Sequence, residues 1–276
     1  MYFVHDIKKL CRSRIEIVML SALLLVCVID PISVYWQAAK YPGFFEQIGK
    51  NPFQYWLLMN SAGWGNQVYN TLFWVFPVLS TGLVYYYERN SSMSKFLIVR
   101  DSRRGYFSAN LTSCFLFTFL SFSAVLLINI AVTYIAFPSD APLTGQYQYL
   151  VPTEGGFAAA IYGSSPLLMA VIYSLLNSLT IAVFSVISLS LHMLVGFKNK
   201  YIAIVGPIVL YYAINFLMDS VPGLHTHNIR LIIQPRAASG MSDIITFVDL
   251  AATLLAWITA ALVLSVAAIC SKKDII

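Results

Sequence analysis

Long apolar runs with almost no charge restrict this chain more than any other feature. Several uncharged stretches reach the length of about 18 residues at which a helix can cross a hydrocarbon core. Only 11% of the 276 residues are charged, against about 25% in soluble domains. The chain reads as an all-α integral membrane protein forming a single domain over 1–276, with six transmembrane helices at about 17–36, 68–87, 106–136, 166–196, 201–217 and 245–269. The first run is longer than a signal-peptide core and ends without a small-residue cleavage site, so it reads as a span.

Basic residues orient the spans. With the N-terminus inside, thirteen of the 17 lysines and arginines fall in the end segments and the loops facing the cytoplasm. The outer loops hold only Lys40, Lys50, Arg230 and Arg236. Cytoplasmic segments are enriched in such residues, so both termini are expected to be cytoplasmic. The net charge of +5 then belongs to these loops, and no nucleic-acid partner is expected.

Residues 1–14 place Phe3, Val4, Ile7, Leu10 and Cys11 on one helical face and Asp6, Lys8, Lys9 and Arg12 on the other. That pattern fits an amphipathic helix lying in the membrane interface; a frayed basic start is the plainer alternative. Asp30 is a carboxylate in or near the first span, which marks either a translocation path or the outer headgroup level. Asn129 and Asn177 lie within spans and line a path or join helices. Phe53, Trp56 and Leu57 share a face in the first outer loop and are expected to rest on the outer surface as an aromatic anchor. His192 is expected at the inner interface. Leu231, Ile232 and Ile233 are candidates for a re-entrant segment.

The stretch from Tyr87 to Tyr106 is unlike the other loops. It carries Arg89, Lys95, Arg100, Arg103 and Arg104 against Glu88 and Asp101, yet Met93, Phe96 and Leu97 fall at i, i+3 and i+4 on one face of a short helix. A loop that only orients the chain needs charge but not an apolar face. This unit is read as meeting another protein on the cytoplasmic side.

Chemistry of other kinds is missing. The sequence has no phosphate-binding glycine loop, no HExxH and no paired-cysteine metal site. His225 and His227 form a lone HxH, usually a loop feature, and Cys11, Cys27, Cys114 and Cys270 are scattered. No metal, cofactor or catalytic residue is expected in this chain, and no enzymatic activity. Ionisable groups within spans are scarce, whereas proton- and ion-coupled carriers usually need them. Energy for transport would have to come from a partner.

These features together resemble the membrane subunit of an ATP-binding-cassette (ABC) exporter of the type-2 permease class, along essentially the whole chain. The basic amphipathic start resembles that family's connecting helix. Glu88-Arg89 closes span 2 ahead of a short amphipathic helix, Arg100-Asp101-Ser102-Arg103 opens span 3, and Gly196-Phe197-Lys198-Asn199-Lys200-Tyr201 is similar to the family's tight turn after span 4. Ser91 and Ser92 stand where many such permeases have glycine. The resemblance implies a permease that pairs with a second copy or a sibling, and two cytoplasmic ATPase subunits that hold the ATP and Mg. It implies a coupling helix over 90–100, with Glu88, Arg89, Met93, Lys95, Phe96, Leu97, Arg100 and Arg103 at the ATPase contact. The expected setting is a bacterial cell membrane, and the expected substrate an amphipathic peptide, a lipid or a hydrophobic small molecule. Polysaccharide-exporting permeases share the six-span plan. A secondary carrier, and a membrane sensor or immunity protein, are the rival classes.

Overall fold

The computed structural model describes residues 2–41, 43, 51–60, 63–91, 102–138, 152, 154–235 and 244–271. Among them every regular element is helical. In order these are α1 (Tyr2–Arg12), α2 (Arg14–Ala39), α3 (Pro52–Tyr55), α4 (Trp64–Leu72), α5 (Val75–Pro77), a π turn (Val78–Gly82) and α6 (Leu83–Asn90). There follow α7 (Arg103–Ala136), α8 (Phe157–Ser164), α9 (Pro166–Val195), α10 (Lys200–Ser220), a 3₁₀ turn (His225–His227), α11 (Ile229–Ile232) and α12 (Phe247–Cys270). Five of them, α2, α7, α9, α10 and α12, are long and apolar enough to cross a membrane. The chain is thus a multi-pass, all-helical membrane protein.

Helix α9 is the axis of the bundle. Over its most apolar stretch 61% of residues are buried, against 39% or less in the other four long helices. It packs chiefly on α7 and α12. Ser174, Ser178, Ser185, Ser188 and Ser190 along it are all fully buried, and such small residues let neighbouring helices approach closely. Its limits are written locally. The Ser165 hydroxyl accepts from the Leu168 N–H at 3.2 Å, Pro166 occupies the first turn, and Gly196 ends the helix at φ +65°.

The stretch expected as one helix over 68–87 is instead four short pieces between Trp64 and Asn90. Pro77 lacks an N–H and interrupts the ladder, and the Thr81 hydroxyl donates to the Pro77 carbonyl at 2.6 Å across a π turn. Gly82 lies under the His192 ring, where a Cβ would come within 3.2 Å of Cε1. Beside the break, Trp74 stacks on Tyr211 (3.8 Å between centroids) and meets the edge of Phe184 (5.0 Å), so aromatic packing fills the irregular space.

The segment 51–60 corrects the expected surface anchor. All ten residues are buried, with Trp56 1% exposed. The segment enters the bundle because neighbours complete its backbone. The Leu57 N–H donates to Asn129 Oδ1 at 3.3 Å, and Asn66 Nδ2 donates to the Leu57 carbonyl. Irregular backbone at membrane depth is tolerated only when so enclosed.

Asp30 has a related role. Helix α4 begins at Gly63, which has no side chain to cap it. The missing acceptor comes from α2: Asp30 Oδ1 takes the Asn66 N–H at 3.0 Å. A carboxylate at a helix N-terminus satisfies an orphan donor and the helix dipole together. The fit requires glycine at two places. A Cβ on Gly63 would strike Asp30 Oδ1, and one on Gly65 would strike Asp30 Cβ and lie 2.8 Å from the Val26 carbonyl oxygen.

Gly63→Ala and Asp30→Ala should therefore each lower the melting temperature, at about 1–3 kcal/mol each. Their combination should cost less than the sum, because Asp30 Oδ1, the atom struck hardest at Gly63, has gone and only the movable end of Asn60 remains in the way. Gly65→Ala should show no such rescue, since Val26 and the Asp30 Cβ remain. Melting curves of the three single variants, the two double variants with Asp30→Ala and the wild type in detergent check this, and strict additivity at Gly63 would contradict it.

Candidate functional site

One end of the bundle gathers the charged side chains. There the end of α6, the start of α7, the turn after α9 and the whole of α1 meet. Helix α1 lies along α7, where the Ser113 hydroxyl donates to the Phe3 carbonyl at 3.4 Å. Its buried face differs from the expected one. Leu10 is buried, but so is Asp6 at 2% exposure, whereas Cys11 is exposed. The reason is on α6. Lys9 Nζ forms an ion pair with Glu88 and a second, at 3.4 Å, with Asp6. Glu88 is 7% exposed, so one lysine is shared by two buried carboxylates. Burial, followed by the neighbouring Glu88, pushes the Asp6 carboxyl above its ordinary range, while Lys9 pulls it back.

Glu88 and Arg89 are adjacent but serve opposite neighbours. Glu88 holds α1 through Lys9. The Arg89 guanidinium covers Gly196, where a Cβ would sit 2.6 Å from Nη2. It thus lies at the C-terminus of α9, where a helix favours a cation, and only glycine leaves room for it. The Tyr86 hydroxyl donates to the Lys198 carbonyl at 2.9 Å, tying α6 to the same turn. Asn199 then caps α10, its Oδ1 accepting from the Tyr201 N–H at 2.8 Å. The Ser91 hydroxyl donates to the Glu88 carbonyl, and Ser102 caps α7 by accepting from the Gly105 N–H at 3.1 Å. Both ends of the charged stretch are therefore fastened. Met93, Lys95, Phe96, Leu97 and Arg100, and the side chain of Arg103, lie outside the described residues.

The residues suggested for a path are placed elsewhere and joined to backbone. Asp30, Asn129 and Asn177 are each fully buried. Asn129 Nδ2 donates to the Cys27 carbonyl, linking α7 to α2. Asn177 Nδ2 donates to the Tyr173 carbonyl at 2.9 Å and to the Ile233 carbonyl at 2.7 Å. The second bond holds the segment at α11, whose Ile229, Ile232 and Ile233 are buried in the core. His192 is buried within the bundle near the end of α9, with Nδ1 2.7 Å from the Ser188 carbonyl, so that nitrogen carries the proton. His227 Nδ1 lies 3.0 Å from the Thr253 hydroxyl, and no metal-binding cluster occurs among the described residues. Sequence reasoning passed over Glu16, which is 3% exposed at the start of α2. It lies between Ile15 and Ile17, where the basic start gives way to the first apolar run, and a lone charge there carries no periodic sign of burial.

Lys9 is the member whose loss would be felt most. Lys9→Gln leaves two buried carboxylates to face each other, at about 1–3 kcal/mol. A carboxyl raised in the folded state contributes stability that is complete below its ordinary pKa and is lost as pH rises through the raised value. Removing Lys9 raises it further, so the deficit of Lys9→Gln should be largest near neutrality and shrink towards about pH 5. Melting temperatures of wild type and variant across that range decide it, and a deficit independent of pH would contradict the shared-lysine geometry.

The chain matches no protein-family model, no curated protein and no solved structure.

Proposed function

We propose that this chain is the transmembrane subunit of an ATP-driven exporter of the type-2 ABC permease class. One observation supports it above the rest: the charged stretch leaves α6 where Glu88 is ion-paired to the N-terminal helix, Arg89 lies over the end of α9 and Tyr86 donates to the turn that follows it. A push on the amphipathic unit at 90–100 would be delivered to α1, α9 and α10 together. Such a geometry suits a coupling helix seated on a cytoplasmic ATPase subunit, with Met93, Phe96 and Leu97 as apolar anchors and Lys95 and Arg100 as the charged rim. ATP and Mg are held by that partner, and the permease pairs with a second copy or a sibling.

In this reading the pieces from Trp64 to Asn90 form the second of six crossings, both termini are cytoplasmic, and α1 lies in the interface of a bacterial cell membrane. The substrate is an amphipathic peptide, a lipid or a hydrophobic small molecule. The carboxylates suit a carrier poorly. Asp30 caps α4, Asp219 accepts from Asn228 Nδ2 at 2.6 Å, and Asp249 closes a capping box with Thr246. Each is engaged in holding backbone or loop.

The topology has a direct check. A cysteine placed at Gly145 should react with an impermeant thiol reagent from outside intact cells, and one at Ser94 only after permeabilisation. The reverse pattern would remove the cytoplasmic coupling element altogether.

The coupling reading is tested at the apolar face. Truncating an aromatic anchor commonly costs more than about 2 kcal/mol, which is roughly a thirtyfold loss of affinity. Phe96→Ala should leave the melting temperature unchanged while the ATPase no longer co-purifies, or hydrolyses ATP without transport. Arg104→Ala should weaken the complex less, and mainly at low salt, where the rim charge is least screened. Full ATPase binding and coupled transport in both Phe96→Ala and Leu97→Ala would show that the stretch only orients the chain.

A further inference from the structure

An apolar groove of about 410 Å³ runs between α7, α9 and α12, within the range of about 300–1,000 Å³ typical of pockets that hold small molecules. It starts near mid-helix, at Phe115, Leu179 and Ile258, and ends at Ser108, Val186 and Ile269. From Ile258 to Ile269 the rise along α12 is about 16 Å. The groove thus follows the direction of the spanning helices and stops one turn short of the charged end of the bundle.

Of its three hydroxyl side chains, Ser108, Thr112 and Ser265, two bond within the protein. The Ser265 and Ser190 hydroxyls pair at 3.2 Å, and the Ser108 hydroxyl donates to the Gly105 carbonyl at 3.1 Å. What remains towards the bilayer is Thr112 and otherwise hydrocarbon, including the exposed side chain of Leu262. On α7, Arg104, Ser108, Leu111 and Phe115 follow one another along a single helical face. Arg104 is exposed and pairs with no described carboxylate. A cation therefore stands at the mouth of a hydrocarbon channel, at the height of the headgroups if α7 spans the membrane.

We infer that this groove holds one acyl chain of an anionic phospholipid, with its phosphate at Arg104. An acyl chain is the one component of a bilayer that is long, thin and wholly apolar, and basic side chains beside spanning helices attract anionic headgroups. Occupancy also fills space that would otherwise leave α7, α9 and α12 without contacts on one side. The inference rests on the membrane-spanning helices and not on the exporter reading, so the two can fail separately.

The test uses the full chain, purified and titrated with phosphatidylglycerol or phosphatidylcholine of the same chain length, and reads retained lipid by native mass spectrometry. Wild type should retain phosphatidylglycerol about fivefold better, the factor that corresponds to about 1 kcal/mol for one basic side chain. Arg104→Gln should remove that preference while leaving retention of phosphatidylcholine unchanged. Thr112→Trp, which fills the groove from its exposed side, should lose retention of both lipids. A melting temperature equal to wild type would show that the Trp variant is folded. Leu262→Trp at the opposite wall is the second filler if it is not. Equal retention of the two lipids by wild type, or undiminished retention in a folded filler variant, would overturn the proposal. So would lipid entry only after removal of residues 272–276, because the chain's own end would then be the occupant.

Discussion

An amide or carbonyl without a partner costs several kcal/mol in hydrocarbon, and this fold depends on how it meets that cost where its helices break. Three irregular segments, at 51–60, 78–82 and 228–233, are each enclosed in the bundle. Each is completed by a short polar side chain on a regular helix or in the break itself. Asn129 and Asn66 serve the Leu57 peptide, Thr81 serves Pro77, and Asn177 serves Ile233. Asp30 does the same for the start of α4. These residues are costly to bury alone, and their burial is tolerated because a backbone group in the same position would otherwise be stranded.

That constraint explains which features could be read from the order of residues. The long helices follow from apolar length alone, and the limits of α9 and α12 follow from Ser165-Pro166, Gly196 and the Thr246–Asp249 capping box. The interruption near Pro77 is also local. The partner of Asp30 is not local: it requires that Gly63 and Gly65 come against α2, and two glycines in a loop fit many turns equally well. Trp56 illustrates the same limit. Tryptophan beside a glycine-rich loop reads as an interface anchor, and the tertiary bonds of the neighbouring Leu57 to Asn129 and Asn66 are what draw Trp56 inward. Asp6 was assigned to the polar face of α1 because helical periodicity weighs one helix by itself. A lysine on the next turn and a glutamate on α6 reversed that assignment.

The candidate site was legible in a different proportion. Its charge, its position between two spans and the Glu88-Arg89 pair are plain in the sequence. That the pair divides, one residue towards α1 and the other towards the end of α9, depends on tertiary placement. The division matters because Glu88 and Tyr86 tie the end of α6 to two different elements, α1 and the turn after α9.

The same bonds bear on where energy can enter. A group that binds and releases a proton or ion during a cycle must change partners, so it cannot also be the fixed cap of a helix or loop. Asp30, Asp219 and Asp249 each hold backbone or loop in place, and the His192 Nδ1–H donates a hydrogen bond to a helix carbonyl. Changing the charge of Asp30 would uncap the start of α4, and changing that of Asp249 would uncap the start of α12. The ionisable groups not fixed in this way are concentrated at the charged end, on the surface from which the stretch 92–101 departs. A chain that uses its interior carboxylates to close its own backbone has its most adjustable electrostatics outside the hydrocarbon, and work done on it is best applied there.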